Sequence, residues 1–399
     1  MQNIKKQLGA IYAYSFTSCL KITTAVWVVL LSARGFSLWQ IGLSEGIFHI
    51  TSLLCEVPSG MASDLIGRRR SLALSGVLGA VSAIAMVSGG SFFWVCLSMV
   101  FSALSYNMIS GTLEAITYDS LVKVNRSGEY LQVDANSSIL QNFATLVSDL
   151  CSLLSGVLSY VGFYLLDALI SLSRCLAALQ MSEPAVTEKQ AARQKAPFAD
   201  LPRRFKAHVA DSFGFFIRNP RIARKIMADA AIALPDYLTL MFLQERLTEL
   251  GFPSAFLGLP LMLLGATRML ATMVARRLKP RSLLCLYAVC ALGTGIGVIL
   301  AGAAPMQFAI AGAMLLSASI EIWYLHCQKS LNDAYPSDQR ATLVSVNSMA
   351  HSVLMIAASP LVGAISDMAG TAGAGLCVLG AMIAALGAIA GILAFRRKK

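Results

Sequence analysis

Residues 60–72 read GMASDLIGRRRSL, with Asp64 followed by three consecutive arginines, Arg68 to Arg70. Apolar runs flank this stretch on both sides, at about 38–58 and 71–89. A helix needs about 20 apolar residues to cross a bilayer. The stretch therefore reads as a short charged connection between two membrane spans, its arginines kept in water or in the headgroup layer.

The same alternation runs through the whole chain. Spans are expected at about 8–32, 38–58, 71–89, 91–117, 136–158, 160–180, 223–244, 253–274, 282–302, 305–328, 341–366 and 371–395, about twelve in all. Composition agrees: of 399 residues, 56% are hydrophobic and 13% charged, with a mean hydropathy of +0.67. A soluble chain carries roughly 25% charged residues, so a soluble enzyme is excluded. The first apolar run is too long for a cleavable signal segment, and none is expected. All nine cysteines fall inside apolar runs, without zinc-ligand spacing to histidine. Neither a disulfide framework, a metal site nor a bound cofactor is expected.

The net charge of +11 is a topology signal. Basic residues cluster at Lys5–Lys6, Arg68–Arg70, Lys123 and Arg126, Lys189–Lys225, Arg276–Arg281, Lys329 and Arg340, and Arg396–Lys399. All of these connections lie on one side of the expected spans. The opposite connections hold only Arg34 and Arg246, while Lys21, Arg174 and Arg268 fall inside spans. The positive-inside rule then places both termini in the cytoplasm and the basic face against anionic lipid. No nucleic-acid partner is expected.

The basic stretch 181–222 divides the chain into residues 1–180 and 223–399, two bundles of six spans. Within it Phe198, Leu201, Phe205, Val209, Phe213 and Phe216 recur at helical spacing among basic residues, which predicts an amphipathic helix on the inner leaflet. A GxxxxGK[ST] phosphate loop is absent, so nothing in the chain reads as an ATP-driven pump.

Ionisable groups inside spans cost on the order of 2.5–3.5 kcal/mol each on insertion scales, so their positions carry information. Span one has Ser15, Thr17, Ser18, Lys21, Thr23 and Thr24, without a single spacing. Span two has Glu45, His49, Ser52 and Glu56, and span four has Asn107, Gly111, Glu114 and Tyr118. Span five adds Asn142 and Asp149, span seven Asp229 and Asp236, and span ten Ser317, Glu321, Tyr324 and Gln328. Steps of three, four and seven place each of the other sets on one helix face. Polar spans alternating with lipid-facing ones suggest a central cavity lined from both halves, although polar helix–helix contacts would also place some of these residues.

Gly60, Asp64, Gly67, Arg68 and Arg69 match G-x-x-x-D-x-x-G-R-[RK]-x-x-[LI], and the chain thereby resembles the major facilitator superfamily, in which this motif follows the second span. Twelve spans, a six-plus-six division, a long middle connection and cytoplasmic termini fit that family. The stretch ARRLKPR at 275–281 resembles a degraded second copy of the motif, without the aspartate. EVPSG at 56–60 and GTLEAITYDS at 111–120 resemble a less characterised bacterial exporter branch. The resemblance implies an all-α membrane transporter whose loop at Gly60–Arg69 gates the conformational switch. Two departures weaken the likeness to drug/proton antiporters. Asn107 stands where they carry an arginine in span four, and the Gly-Pro signature of span five is missing.

The expectation is a secondary transporter of a small organic molecule in the cytoplasmic membrane, a monomer exporting its substrate in exchange for protons; an importer or symporter is the alternative, and a non-transporting receptor on the same fold a remote one. Glu114, Asp236, Glu321, Lys21 and Asn107 are the candidates for proton coupling or the substrate cavity, and Glu45, His49 and Asp149 for a relay or gate. Lys21, midway along span one, could offset a carboxylate in the cavity or an anionic substrate. Glu114 could instead pair with a cytoplasmic arginine, and Asp119 reads as a helix-end pairing residue.

Overall fold

The computed structural model describes residues 4–183, 217–280, 282–333 and 340–396, with single positions at 203, 206, 210 and 214. The side chains of Asp64 and of residues 332–345 lie outside the described set, as does the expected amphipathic stretch 198–216 apart from isolated positions. Among the described residues there is no strand. The helices are α1 (Ile4–Cys19), α2 (Trp27–Ser32), α3 (Leu38–Ile66), α4 (Arg68–Val87), α5 (Phe92–Ile109), α6 (Thr112–Val122), α7 (Tyr130–Leu150) and α8 (Tyr160–Gln180). They continue as α9 (Pro220–Glu249), α10 (Gly258–Ala275), α11 (Leu283–Ala303), α12 (Met306–Asp333), α13 (Arg340–Ala369) and α14 (Ala372–Arg396). Nine helical segments among the described residues are long and apolar enough to span a membrane. The chain is a multi-pass, all-helical membrane protein.

Local chemistry sets the ends of several helices. Ser159 caps α8 by accepting from the Gly162 N–H at 3.2 Å, and Ser282 caps α11 through Cys285 at 3.1 Å. Pro220 opens α9 at a position where its missing N–H costs nothing.

Two compact units emerge. The first comprises residues 1–25 and 47–210, the second residues 26–46 and 211–399. Tyr14, Leu72, Ile116, Ala178 and Met181 form the core of the first unit where α1, α4, α6 and α8 meet. In the second, α11 crosses α14 so closely that a Cβ on Gly295 would lie 2.6 Å from the Gly380 carbonyl oxygen. With no hydrophobic drive between helices in lipid, such backbone approach is what gives the pair its packing energy. Residues 26–46 also pack within this second unit. A Cβ on Gly42 would meet the Ser359 carbonyl at 2.2 Å, and Asp367 accepts from the Leu38 and Trp39 N–H groups at 2.9 and 2.7 Å.

Three spans differ from the sequence reading. Span one is not continuous: the helix stops at Cys19 and resumes at Trp27. Span four breaks at Ser110–Gly111, where Gly111 takes a φ of 70°. Asn107 therefore does not share one regular helix face with Glu114 and Tyr118. Gly60 is not in a turn but inside α3, and the connection between α3 and α4 shrinks to Gly67 alone, whose φ of 92° suits a residue without a side chain.

Candidate functional site

The second unit assembles charged groups from three helices. Asp236 follows Pro235 inside α9, where proline removes one helical hydrogen bond. Arg268 and Thr272 lie one turn apart on α10, and Glu321 comes from α12. The Arg268 guanidinium pairs with Asp236. Thr272 Oγ1 lies 2.9 Å from Glu321 Oε1 and 3.0 Å from the Arg268 carbonyl oxygen. One hydroxyl proton thus has two acceptors within reach. Side-chain exposure is 26% for Asp236 and 40% for Arg268, so the pair is not sealed off. Sequence reasoning named both acids but left Arg268 and Thr272 unassigned. An arginine at mid-span was the signal that could have found the first.

Asp229, on the same helix as Asp236, is buried and fully used as a pin. It accepts from Trp323 Nε1 at 2.9 Å, Asn347 Nδ2 at 3.2 Å and Gln328 Nε2 at 3.4 Å, which tie α9 to α12 and α13. Buried Glu45 belongs to the second unit and faces the Tyr237 hydroxyl at 3.4 Å.

In the first unit the break in span one is held open by two neighbours. Asp167 of α8 accepts from the Ile22 N–H at 2.8 Å and the Thr23 hydroxyl at 2.6 Å. Ser148 of α7 accepts from the Lys21 N–H at 2.9 Å. Lys21 itself is exposed. Asp149, next to Ser148, is 6% exposed. Asn107 is committed to α3: Ser52 Oγ donates to its Oδ1 and its Nδ2 donates to the Ser52 carbonyl, both at 2.8 Å. His49 stacks edge-on against Phe48 at 5.4 Å. Glu114 is exposed in the first turn of α6.

The charged connection after α3 is fastened inside the first unit. The Arg68 guanidinium pairs with Asp119. Glu183, just past α8, accepts from the Arg68 and Arg69 N–H groups at 2.8 and 2.9 Å, capping α4 with one carboxylate. Glu183 lies more than a hundred residues from Arg68 in the chain, and nothing near the motif marks it as the cap. Arg69 Nη2 also reaches the Leu179 carbonyl at 2.5 Å.

The sequence model described as Major Facilitator Superfamily matches residues 8–350. The chain belongs to this superfamily. Among curated proteins it is 25% identical over 362 residues, 88% of each chain, to the uncharacterized MFS-type transporter YxaM of Bacillus subtilis (strain 168). Among solved structures it is similar in fold to the nucleoside transporter NupG, with a TM-score of 0.74 at 13% identity over 100% of both chains. A D-xylose–proton symporter matches at a TM-score of 0.70 and 14% identity, over 97% of this chain and 96% of that one. As a member of the major facilitator superfamily, the chain is a secondary transporter of small solutes rather than an enzyme.

Proposed function

We propose that this superfamily member is a proton-coupled exporter of a small polar organic molecule, working by alternating access in the cytoplasmic membrane. The observation that carries the reading is the Asp236–Arg268–Thr272–Glu321 group. Ionised Glu321 accepts the Thr272 proton. Protonated Glu321 donates to Thr272 Oγ1 while the hydroxyl turns to the Arg268 carbonyl, so no hydrogen bond is lost in either charge state. A carboxyl that is satisfied both with and without its proton suits a group that loads and releases protons during a cycle. The similar D-xylose–proton symporter is named for such coupling.

In this reading the protein is a monomer with both termini cytoplasmic and twelve spans, six on each side of residues 181–222, with no nucleic-acid partner. Gly60 and Asp64 at the end of α3, Gly67, and Arg68 and Arg69 at the start of α4 gate the conformational switch. Lys21, Glu114 and Asn107 line the solute path in the first unit, while Glu45, His49 and Asp149 are relay or gate groups.

Proteoliposomes with an imposed pH gradient test this. Flux of a substrate found by thermal-shift screening at pH 6 and pH 8 follows the gradient in the wild type. Glu321→Gln and Asp236→Asn lose gradient-driven flux but keep substrate exchange. Gradient-driven flux surviving in both variants would remove these assignments; Glu114→Gln run alongside separates the two units. Flux inward with the proton gradient, rather than against it, would replace export by symport.

A further inference from the structure

The break in span one has a chemical consequence of its own. Residues 20–26 contain neither glycine nor proline, yet the helix stops there. Two side chains from other helices are spent on the break: Asp167 on the Ile22 N–H and the Thr23 hydroxyl, and Ser148 on the Lys21 N–H. Both Asp167 oxygens are engaged in this, and Asp167 is itself buried. Irregular backbone at membrane depth is tolerated only where protein covers it or where it lines a water-filled cavity.

The exposed side chains on this segment decide between those two. Lys21, in the non-helical stretch after Cys19, is exposed, and Thr17 and Thr24 on either side of it are half-buried. A lipid-facing surface in this molecule looks different: α14 presents Ile389, Ile392, Leu393 and Phe395. On α7 Asn142 and Thr145 are exposed two turns and one turn before Ser148 and Asp149, next to exposed Phe143 and Leu146, so this face is mixed where that of α14 is apolar. Among the described residues the Lys21 ammonium makes no hydrogen bond or ion pair. Asp167 is the nearby negative charge, with its oxygens already accepting from the Ile22 N–H and the Thr23 hydroxyl.

We propose that Lys21 is the anchor for an oxyanion, so that the transported solute carries a carboxylate or a phosphate on a hydrogen-bonding body. Lys21 binds the anion as a point charge, the hydroxyl oxygens of Thr17, Thr24 and Thr145, whose protons go to the Ala13, Lys21 and Gln141 carbonyls, accept from donors on the body, and Asp167 is a positioning residue that keeps the break open. This rests on the transporter reading above and names the substrate class for it.

The test uses purified full-length protein and charge-matched probe pairs: benzoate with benzamide, succinate with succinamide, and glucose 6-phosphate with glucose. Ligand-induced thermal stabilisation should appear for an oxyanion and not for its neutral partner, and whether carboxylates or phosphate act shows which source applies. Lys21→Gln should weaken that binding by roughly tenfold or more, the loss of one charged hydrogen bond, while Lys21→Arg keeps it. Wild type stabilised by no oxyanion, or equally by the neutral partners, overturns the proposal, as does unchanged oxyanion affinity in a monodisperse Lys21→Gln protein. The two readings fail separately. Proton-driven flux of a neutral solute that survives Lys21→Gln sinks the anion site alone; oxyanion binding that needs Lys21 without any proton-driven flux sinks the coupling alone.

Discussion

Arg174 and Arg268 each sit within a span, one in each unit, and their surroundings are opposite. Arg174 is 7% exposed and meets neutral acceptors, the Ser75 carbonyl at 2.8 Å and the Ser105 hydroxyl at 2.9 Å. Its neighbour Cys175 lies against Gly76, where a Cβ would stand 2.6 Å from the Cys175 nitrogen. Arg268 keeps 40% of its side chain open, pairs with Asp236, and has Glu321 one helical turn away through Thr272. A cation closed in by fixed neutral acceptors has nothing to exchange and acts as a pin between helices. One that stays partly open beside two acids can change its electrostatic partner when a proton or solute arrives. Charge inside a span is therefore no guide to function until its partners are known.

The largest expected effect tests this contrast directly. Arg268→Met and Asp236→Asn should each lower proton-driven flux on the order of 100-fold, the cost of stranding one charge of a pair. Arg174→Met should leave flux per folded molecule within about twofold and melting unchanged or raised, because an apolar residue of similar length replaces a desolvated cation. Neither acceptor is orphaned, since Ser105 Oγ also donates to the Ser75 carbonyl. Equal flux losses at the two arginines would break the comparison.

Gly76→Val comes next. Its methyl groups would enter the Cys175 backbone and push α8 off α4, costing about 1–3 kcal/mol, read as a lower melting temperature in detergent. Thr272→Val should cost about 1 kcal/mol and shift the pH dependence of flux, whereas Thr272→Ser keeps both. A Thr272→Val protein with an unaltered pH profile would make the Thr272–Glu321 contact purely structural.

The smallest effect lies outside the membrane, in the short turn before α7. Hydrogen bonding from Arg126 holds the exposed Glu129 carboxyl below its ordinary range. A depressed acid contributes stability above its ordinary value and loses that contribution as pH falls through the lowered one. Glu129→Gln should thus melt like the wild type at pH 7 in salt, because exposed pairs contribute little.

Much of this molecule was legible from residue order. Apolar runs between basic clusters marked the spans, and the spacing of Gly67, Arg68 and Arg69 marked the connection after α3. Polar residues at helical steps drew attention to Asp236 and Glu321, which the structure groups with Arg268 and Thr272. The same steps grouped Asn107 with Glu114, yet Gly111 breaks that helix and Ser52 takes up the Asn107 amide. The break at Lys21 left no local mark, since its cause is Asp167 and Ser148, more than 120 residues away. Glu183 as the cap of α4 was hidden for the same reason.

The sequence by itself determined the solvent, the helical class and the family of this protein. Those follow from sums over many residues, and a hydrophobic run of about 20 residues in lipid has few structural options. Only the tertiary structure decided which charges are pins and which are open, because a hydrogen bond is settled by angstroms between helices distant in the chain. Arg174 and Arg268 look alike in the sequence; Ser75 and Asp236, brought to them by packing, make them different.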